Sequence, residues 1–199
     1  MKKKNFLILL CTVTTLSLSI MSCSDGNPKT AGTLRVTVIA NTYDSVARGK
    51  YLVTIMGCND CHSPKKMGPQ GPEVIPELAL SGYPAERPIV KFDSKLIKTG
   101  FAQFYPDLTA AAGPWGISFA ANLTPDATGI GNWKEEQFIT AIRQGKSKGL
   151  AENRMLLPPM PWQDFASLTN EDAHALFIYL KSLKPVKNTV PGPVTPDKM

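Results

Sequence analysis

Two cysteines and a histidine stand in one short run, Cys58-Asn59-Asp60-Cys61-His62. Thiols three positions apart, followed directly by an imidazole, match the C-x-x-C-H pattern by which c-type haem is attached. Both sulfurs can reach one porphyrin edge and bond its two vinyl groups. The imidazole of His62 then lies beneath the ring as a proximal iron ligand. Two other chemistries use such thiol pairs. A thioredoxin-like dithiol is expected beside a βαβ pattern, and the flanks here are helical and Pro-rich. A structural zinc site needs four ligands, and only His174 remains to add outside the N-terminal leader. The pattern points to one covalently attached haem and its iron.

A six-coordinate haem needs a ligand opposite His62, and a soft thioether favours reduced iron and raises the potential. Met160 lies between Pro159 and Pro161, where backbone freedom is small and a side chain can be held toward a metal. Met155 is in a less constrained stretch, Met67 is too near His62 in sequence, and Met56 belongs to the helix before the motif. Core packing is the plain alternative for any one methionine. Met160 is the candidate. His174, which would make a bis-histidine haem, falls away from the Leu176/Phe177/Leu180 face of the last helix and reads as a boundary residue. Trp162 could pack on the haem or a propionate, or be structural. Arg143 or Asn122 could bond a propionate, Arg being chemically suited to carboxylates, against a solvated helix-face charge. Lys65, Lys66, Lys146 and Lys148 could form a positive docking surface or be plain solvated lysines.

The chain opens MKKKNFLILLCTVTTLSLSIMSC. Lys2, Lys3 and Lys4 precede an apolar run, Phe6 to Met21, that is diluted by Thr and Ser. The run is shorter than the roughly 20 apolar residues of a spanning helix and has the form of a secretory signal. Its end, Ile20-Met21-Ser22-Cys23, resembles a bacterial lipobox, with cleavage before Cys23 and lipid on that cysteine. An ordinary signal peptide with a chance cysteine is the alternative. Acyl chains, at about 0.8 kcal/mol per buried methylene, would anchor the protein without a transmembrane helix. Cys11 then leaves with the leader, and Cys58 and Cys61 are the remaining free thiols. That is no disulfide scaffold. Removing three lysines with residues 1–22 leaves 19 basic residues of 22 against 16 acidic ones, a net charge of +3 rather than +6. A mildly basic domain suits an acidic docking partner weakly and makes no case for nucleic acid.

These residues need elements to position them. Residues 23–44 form a polar tether and an extended arm, with a short strand expected over 34–39. Asp44 or Ser45 can cap a helix from about Val46 to Met56 that delivers the chain into CNDCH. Gly49 inside that helix marks the close approach of another helix. Pro- and Gly-rich turns follow His62. The segment from about Lys91 to Trp115 is too long for an ordinary connector and is expected as one short helix or a loop over a haem edge. Trp133 to Gln144 is a helix with Phe138, Ala141 and Ile142 on one face, stopped by Gly145. LLPPMPW is rigid. Thr169 caps the last helix, Pro185 stops it, and a Pro-rich tail, 187–199, is expected to be mobile.

Three motifs in order, CNDCH, NLTPDATGIGNW and LPPMPW before DAHALFIYLKSLKPV, resemble the c-type cytochrome family. The resemblance is greatest to the cytochrome subunits of bacterial membrane-bound alcohol and aldehyde dehydrogenases and covers about Val46 to Val186. It implies the class I cytochrome c fold, an all-α domain over residues 45–186 with few helices around one haem. It also implies that Cys58, Cys61, His62 and Met160 hold that haem, His62 and Met160 as iron ligands. Such a protein is an electron carrier rather than an enzyme, with a dehydrogenase as donor and an oxidase or another cytochrome as acceptor. A lipid-anchored place in the bacterial periplasm or cell envelope is expected. The alternative is a haem enzyme or gas sensor with an open or labile distal site. Those dehydrogenase subunits often carry several haem modules and this chain has one C-x-x-C-H, so the expectation here is a single haem.

Overall fold

The computed structural model describes residues 44–89 and 91–199. The leader, Cys23 and the strand expected over 34–39 lie outside the described residues. In chain order the elements are α1 (Ser45–Ile55), α2 (Cys58–His62), β1 (Lys65–Gly68), β2 (Gly71–Val74), α3 (Ser94–Lys98), β3 (Gln103–Phe104), β4 (Ala110–Gly113), β5 (Gly116–Phe119), α4 (Glu135–Gln144), α5 (Trp162–Phe165) and α6 (Asn170–Ser182). Among the described residues no helix is long and apolar enough to cross a membrane.

The first and last of these helices form the frame. Asp44 caps α1, its carboxylate accepting from the amides of Val46 and Ala47 at 3.0 Å. Thr169 caps α6 by accepting from the amide of Asp172. The two helices cross where Gly49 meets Ala175. A Cβ at Gly49 would stand 2.0 Å from the Ala175 carbonyl oxygen and 2.5 Å from the Tyr179 Cβ. Arg48 closes the crossing with a fork on Asp172, at 2.8 Å and 3.1 Å. Leu52 and Val53 of α1 then pack with Leu176, Phe177 and Leu180 of α6, and Phe138 and Ile142 of α4 complete the core. Gly145 ends α4 in the left-handed region, at φ 66°.

The expectation of an all-α domain is corrected by two antiparallel sheets, one of two strands and one of three. Both form where Pro and Gly deny the chain a helix. In the first hairpin Lys65 pairs with Val74 and Gly68 with Gly71 across a Pro-Gln turn. In the second sheet β4 runs Ala-Ala-Ala-Gly, in which the alanines have good helical propensity. Pro106 and Pro114 bracket it, however, and a stretch so short cannot repay helix nucleation. Its buried amides and carbonyls still need partners, so it pairs with β5, Ala110 opposite Phe119 and Gly113 opposite Gly116. The long segment expected as a loop or single helix is therefore α3 with a three-stranded meander. It has its own small core of Ile97, Ala112 and Ile117, flanked by Phe92, Phe119 and Val194.

Val194 belongs to the tail, which is not free. Ile117 and Val194 exchange backbone hydrogen bonds at 2.8 Å and 3.0 Å. The Asn188 side chain donates to the carbonyls of Ser81 and Tyr83 and accepts from the amide of Ala85. Composition alone does not show such backbone pairing.

The helix crossing has a direct test. Gly49→Ala forces a methyl group into the Ala175 backbone, and overpacking of this kind costs about 1–3 kcal/mol. At about 2–4 °C per kcal/mol for a domain of this size, the melting temperature should fall by several degrees. An unchanged melting curve would show that the helices separate freely at this point.

Candidate functional site

α1 delivers the site. It ends at Ile55 with Met56 as its cap, and Gly57 turns the chain at φ 66°, directly into α2. Cys58 and Cys61 are nearly one turn apart on α2, so their sulfurs share one face. Both are free and half-buried. Burial pushes the Cys58 thiol up to about 11. Burial raises Cys61 as well, against the pull of Lys65. A reactive dithiol needs a depressed pKa, so this pair is poorly suited to thiol–disulfide exchange.

His62 ends α2. Its Nδ1 lies 2.8 Å from the carbonyl oxygen of Ala121. A carbonyl can only accept, so Nδ1 carries the proton and Nε2 keeps its lone pair. Burial also lowers the imidazole pKa, with the Ala121 bond opposing. The ring is thus held neutral, in the tautomer a metal ligand requires, with a hydrogen-bond acceptor behind it.

Three segments are laced together to hold that geometry. Gly82 donates to the carbonyl of His62 at 2.8 Å, Tyr83 to that of Ala120 at 2.9 Å, and Leu123 to that of Leu80 at 2.8 Å. Ser63 donates to Asn59 Oδ1 at 2.7 Å and accepts from the amide of Leu80 at 2.8 Å. A Cβ at Gly82 would stand 2.4 Å from the carbonyl oxygen of Ala120, and its φ is 79°, so only glycine fits. Asn122 fixes the turn beyond Ala121. Its Oδ1 accepts from the amide and hydroxyl of Thr124, and its Nδ2 donates to Val186 at 2.8 Å.

Met160 is half-buried in the turn before α5. The hydroxyl of Ser118 on β5 donates to the carbonyl of Pro158 at 2.7 Å. β5 and its continuation therefore touch both candidate iron ligands' supports, Pro158 two residues before Met160 and, through Ala121, His62. The other methionines are less suited. Met67 is 75 % exposed, Met155 is exposed, and Met56 packs on the core at the end of α1. His174 faces Glu135, Nδ1 to Oε1 at 3.0 Å, with its side chain 44 % exposed.

Several sequence candidates have structural partners. Asn122 spends its Oδ1 on Thr124 and its Nδ2 on Val186. Arg143 donates to Asn170 Oδ1 at 2.8 Å. The Trp162 ring covers Gly145, with ring carbons 2.3–2.8 Å from where a Cβ would be. Lys65 donates to the carbonyls of Asp60, Ser63 and Asp107, which ties α2 to the meander. Lys146 reaches the carbonyl of Asn153, while Lys66 and Lys148 are exposed. Among the described residues no group of three or more His, Cys, Asp or Glu could hold a metal ion. Sequence reasoning missed the Ala121 carbonyl, Ser63 and Gly82. Backbone acceptors leave no trace in residue type.

The donor set fits haem c. It offers two half-buried thiols on one helical turn, a neutral imidazole with free Nε2, and a thioether on a tethered turn. Comparison with known proteins gives the same indication. The family model described as Cytochrome c matches residues 46–184. The fructose dehydrogenase cytochrome subunit of Gluconobacter japonicus is 29 % identical over 153 residues, 76 % of this chain and 24 % of its own length. The cytochrome c subunit of a quinone-dependent alcohol dehydrogenase from Gluconobacter oxydans is 27 % identical over 143 residues, 71 % of this chain and 22 % of its own length. The gluconate 2-dehydrogenase cytochrome c subunit of Pantoea cypripedii is 30 % identical over 152 residues, 74 % of this chain and 26 % of its own length. The chain thus spans about a quarter of the length of each of these relatives.

The contact between Arg87 and the meander carries a pH dependence. Burial raises the Asp107 carboxyl, but hydrogen bonds from Arg87 and Thr109 outweigh it and hold the group below its ordinary 3.8. A carboxylate lowered on folding adds stability above its unfolded pKa and loses that stability as pH falls through the folded value. Acidification below about pH 4 should therefore weaken the protein. Asp107→Asn should lower the melting temperature at neutral pH and flatten the acid limb. An equally steep limb in the variant, measured by thermal denaturation from neutral pH downward, would assign the acid sensitivity to other groups.

Proposed function

The chain belongs to the cytochrome c family, and we propose that it is a mono-haem electron carrier between a dehydrogenase and a downstream acceptor. The observation that carries the reading is the His62–Ala121 hydrogen bond directly after the two thiols. It leaves Nε2 of a neutral imidazole as the donor on the side away from the carbonyl. When bound, haem c supplies a one-electron ferric–ferrous couple.

The residues have distinct tasks. Cys58 and Cys61 would hold the porphyrin by thioether bonds, and the His62 Nε2 and Met160 thioether would hold its iron, with the Ala121 carbonyl keeping the His62 proton on Nδ1. Iron held by both side chains would supply electron transfer rather than substrate binding, which supports a carrier over an enzyme. A thioether ligand would support a high potential. A single C-x-x-C-H in the sequence supports one haem. The names of the relatives support a dehydrogenase as the donor. The charged start, apolar run and Ile20-Met21-Ser22-Cys23 support export and a lipid anchor on Cys23 in the bacterial envelope.

A visible spectrum of protein matured with haem-attachment machinery tests the reading. It should show a sharp reduced α band and, when oxidised, a weak sulfur-to-iron charge-transfer band. Cys58→Ser with Cys61→Ser should remove covalent haem completely from a denaturing gel. Met160→Ala should keep the haem, remove the charge-transfer band, admit carbon monoxide and lower the potential; axial ligands can move a haem across about 0.8 V. Carbon monoxide binding to the unaltered reduced protein would instead favour an open-site haem enzyme or sensor.

A further inference from the structure

The α3 helix ends at the surface in a tip of apolar side chains. Ile97 packs into the small core with Ala112 and Ile117, which fixes the helix on the meander. Its neighbours point outward, Leu96 at 47 % exposure and Phe101 at 62 %. Local backbone chemistry brings these two together. Gly100 adopts φ 96°, its amide donates to the carbonyl of Ile97 at 2.9 Å, and the amide of Phe101 donates to that of Leu96 at 3.2 Å. In this helix stop the residue after the glycine packs against the residue that opens the last turn. A Cβ at Gly100 would meet nothing within 4 Å, so the tip projects into open space.

The charges around the tip indicate what covers it. Lys95 and Lys98 are neighbours on the outward side of α3, Lys91 precedes the helix, and all three are exposed. Among the described residues none of the three forms an ion pair. The acid within this segment is Asp93. Its carboxylate caps α3, accepting from the amides of Lys95 and Leu96 at 2.8 Å and 3.4 Å. The apolar tip therefore stands in a collar of lysines.

We propose that this tip is a membrane contact. Leu96 and Phe101 enter the boundary between headgroups and acyl chains of an anionic lipid surface, and Lys95 and Lys98 stay with the headgroups. The inference rests on the envelope placement proposed above. Segments that lie in a membrane interface combine Phe and Leu on the side that enters with Lys on the polar side. Lysine stems run along apolar surface while the ammonium stays wet, and anionic headgroups complement its charge. A protein partner fits less well, because interface cores are poor in lysine and take about 800 Å² from each side. Two side chains on a projecting tip supply a small part of that. The chain between Cys23 and Asp44 can extend to about 75 Å at most, long enough for any face of the domain to meet the bilayer. A lipid on Cys23 would hold the domain near the membrane without choosing that face, and the α3 tip supplies the second point that chooses it.

The experiment uses the full-length protein matured with haem attachment, with Phe101 replaced by the photoreactive p-benzoylphenylalanine, which keeps an aromatic ring at an exposed position. Irradiation in the intact bacterial envelope should give a phospholipid adduct on the peptide that contains residue 101. Mature holoprotein in vesicles of phosphatidylglycerol and phosphatidylcholine should give the same adduct, and vesicles of phosphatidylcholine alone should lower its yield severalfold. Lys95→Glu with Lys98→Glu should lower it as far in the anionic vesicles. If that variant fails to mature, high salt screens the lysines instead and should have the same effect. A polypeptide adduct in place of lipid would overturn the proposal and assign the tip to a protein partner. No adduct, or a yield indifferent to lipid charge and to the lysines, would overturn it too. The same samples test the reading beneath it separately. A missing haem spectrum would sink the carrier, and a Cys23 peptide without acyl chains would sink the lipid anchor, while a charge-dependent lipid adduct at residue 101 would still uphold the tip.

Discussion

One hydrogen bond organises the molecule, that from His62 Nδ1 to the carbonyl of Ala121. It decides which nitrogen keeps its lone pair, and with that what the C-x-x-C-H run can do. A bond from a side chain to a backbone carbonyl 59 positions away is only as precise as the backbone that presents the carbonyl. Much of the surrounding structure serves that purpose. Leu80, Gly82 and Tyr83 bond the segments on either side of His62 and Ala121, and Ser63 bridges Asn59 and Leu80. Asn122 clamps the next turn to Val186 after α6. The α1–α6 crossing at Gly49 then sets the direction from which α2 enters.

The meander adds a second layer. Its Ser118 hydroxyl holds the turn before Met160, and its far end is closed by the tail at Val194. Residues from the middle and the end of the chain are thus joined to the α2 site by backbone and hydroxyl hydrogen bonds rather than by a large apolar core. Such bonds are individually modest, about 0.5–1.5 kcal/mol net, but they are directional. Directionality suits a site whose side chains must hold one geometry. The small alanines of β4 fit the same purpose, since they let strands and loops approach closely.

Much was legible from residue type and spacing. Asp44, Thr169 and Gly145 mark helix ends through local chemistry that does not depend on the rest of the fold. Gly49 announced a helix contact, because a glycine in an otherwise good helix has a local cost that close packing can offset. His174 fell on the expected boundary, where it pairs with Glu135. The sheets were not legible. Ala-Ala-Ala-Gly carries no alternation of apolar and polar residues, all four being buried, and β1 and β2 are short and rich in Lys, Gly and Pro. Nor was the docked tail, whose hold on β5 is made through backbone groups that every residue possesses.

Residue identity therefore settles the chemistry available: two thiols, an imidazole and a Pro-flanked thioether, set between two capped helices. These follow from side-chain type and from spacings of three or four residues, which the geometry of a single helix turns into neighbours. The folded chain had to decide the protonation of His62 and the strand that tethers the Met160 turn. Each of these depends on groups far apart in the chain, mostly backbone amides and carbonyls. Their partners are chosen by the path of the folded chain, and residue type carries no record of that path.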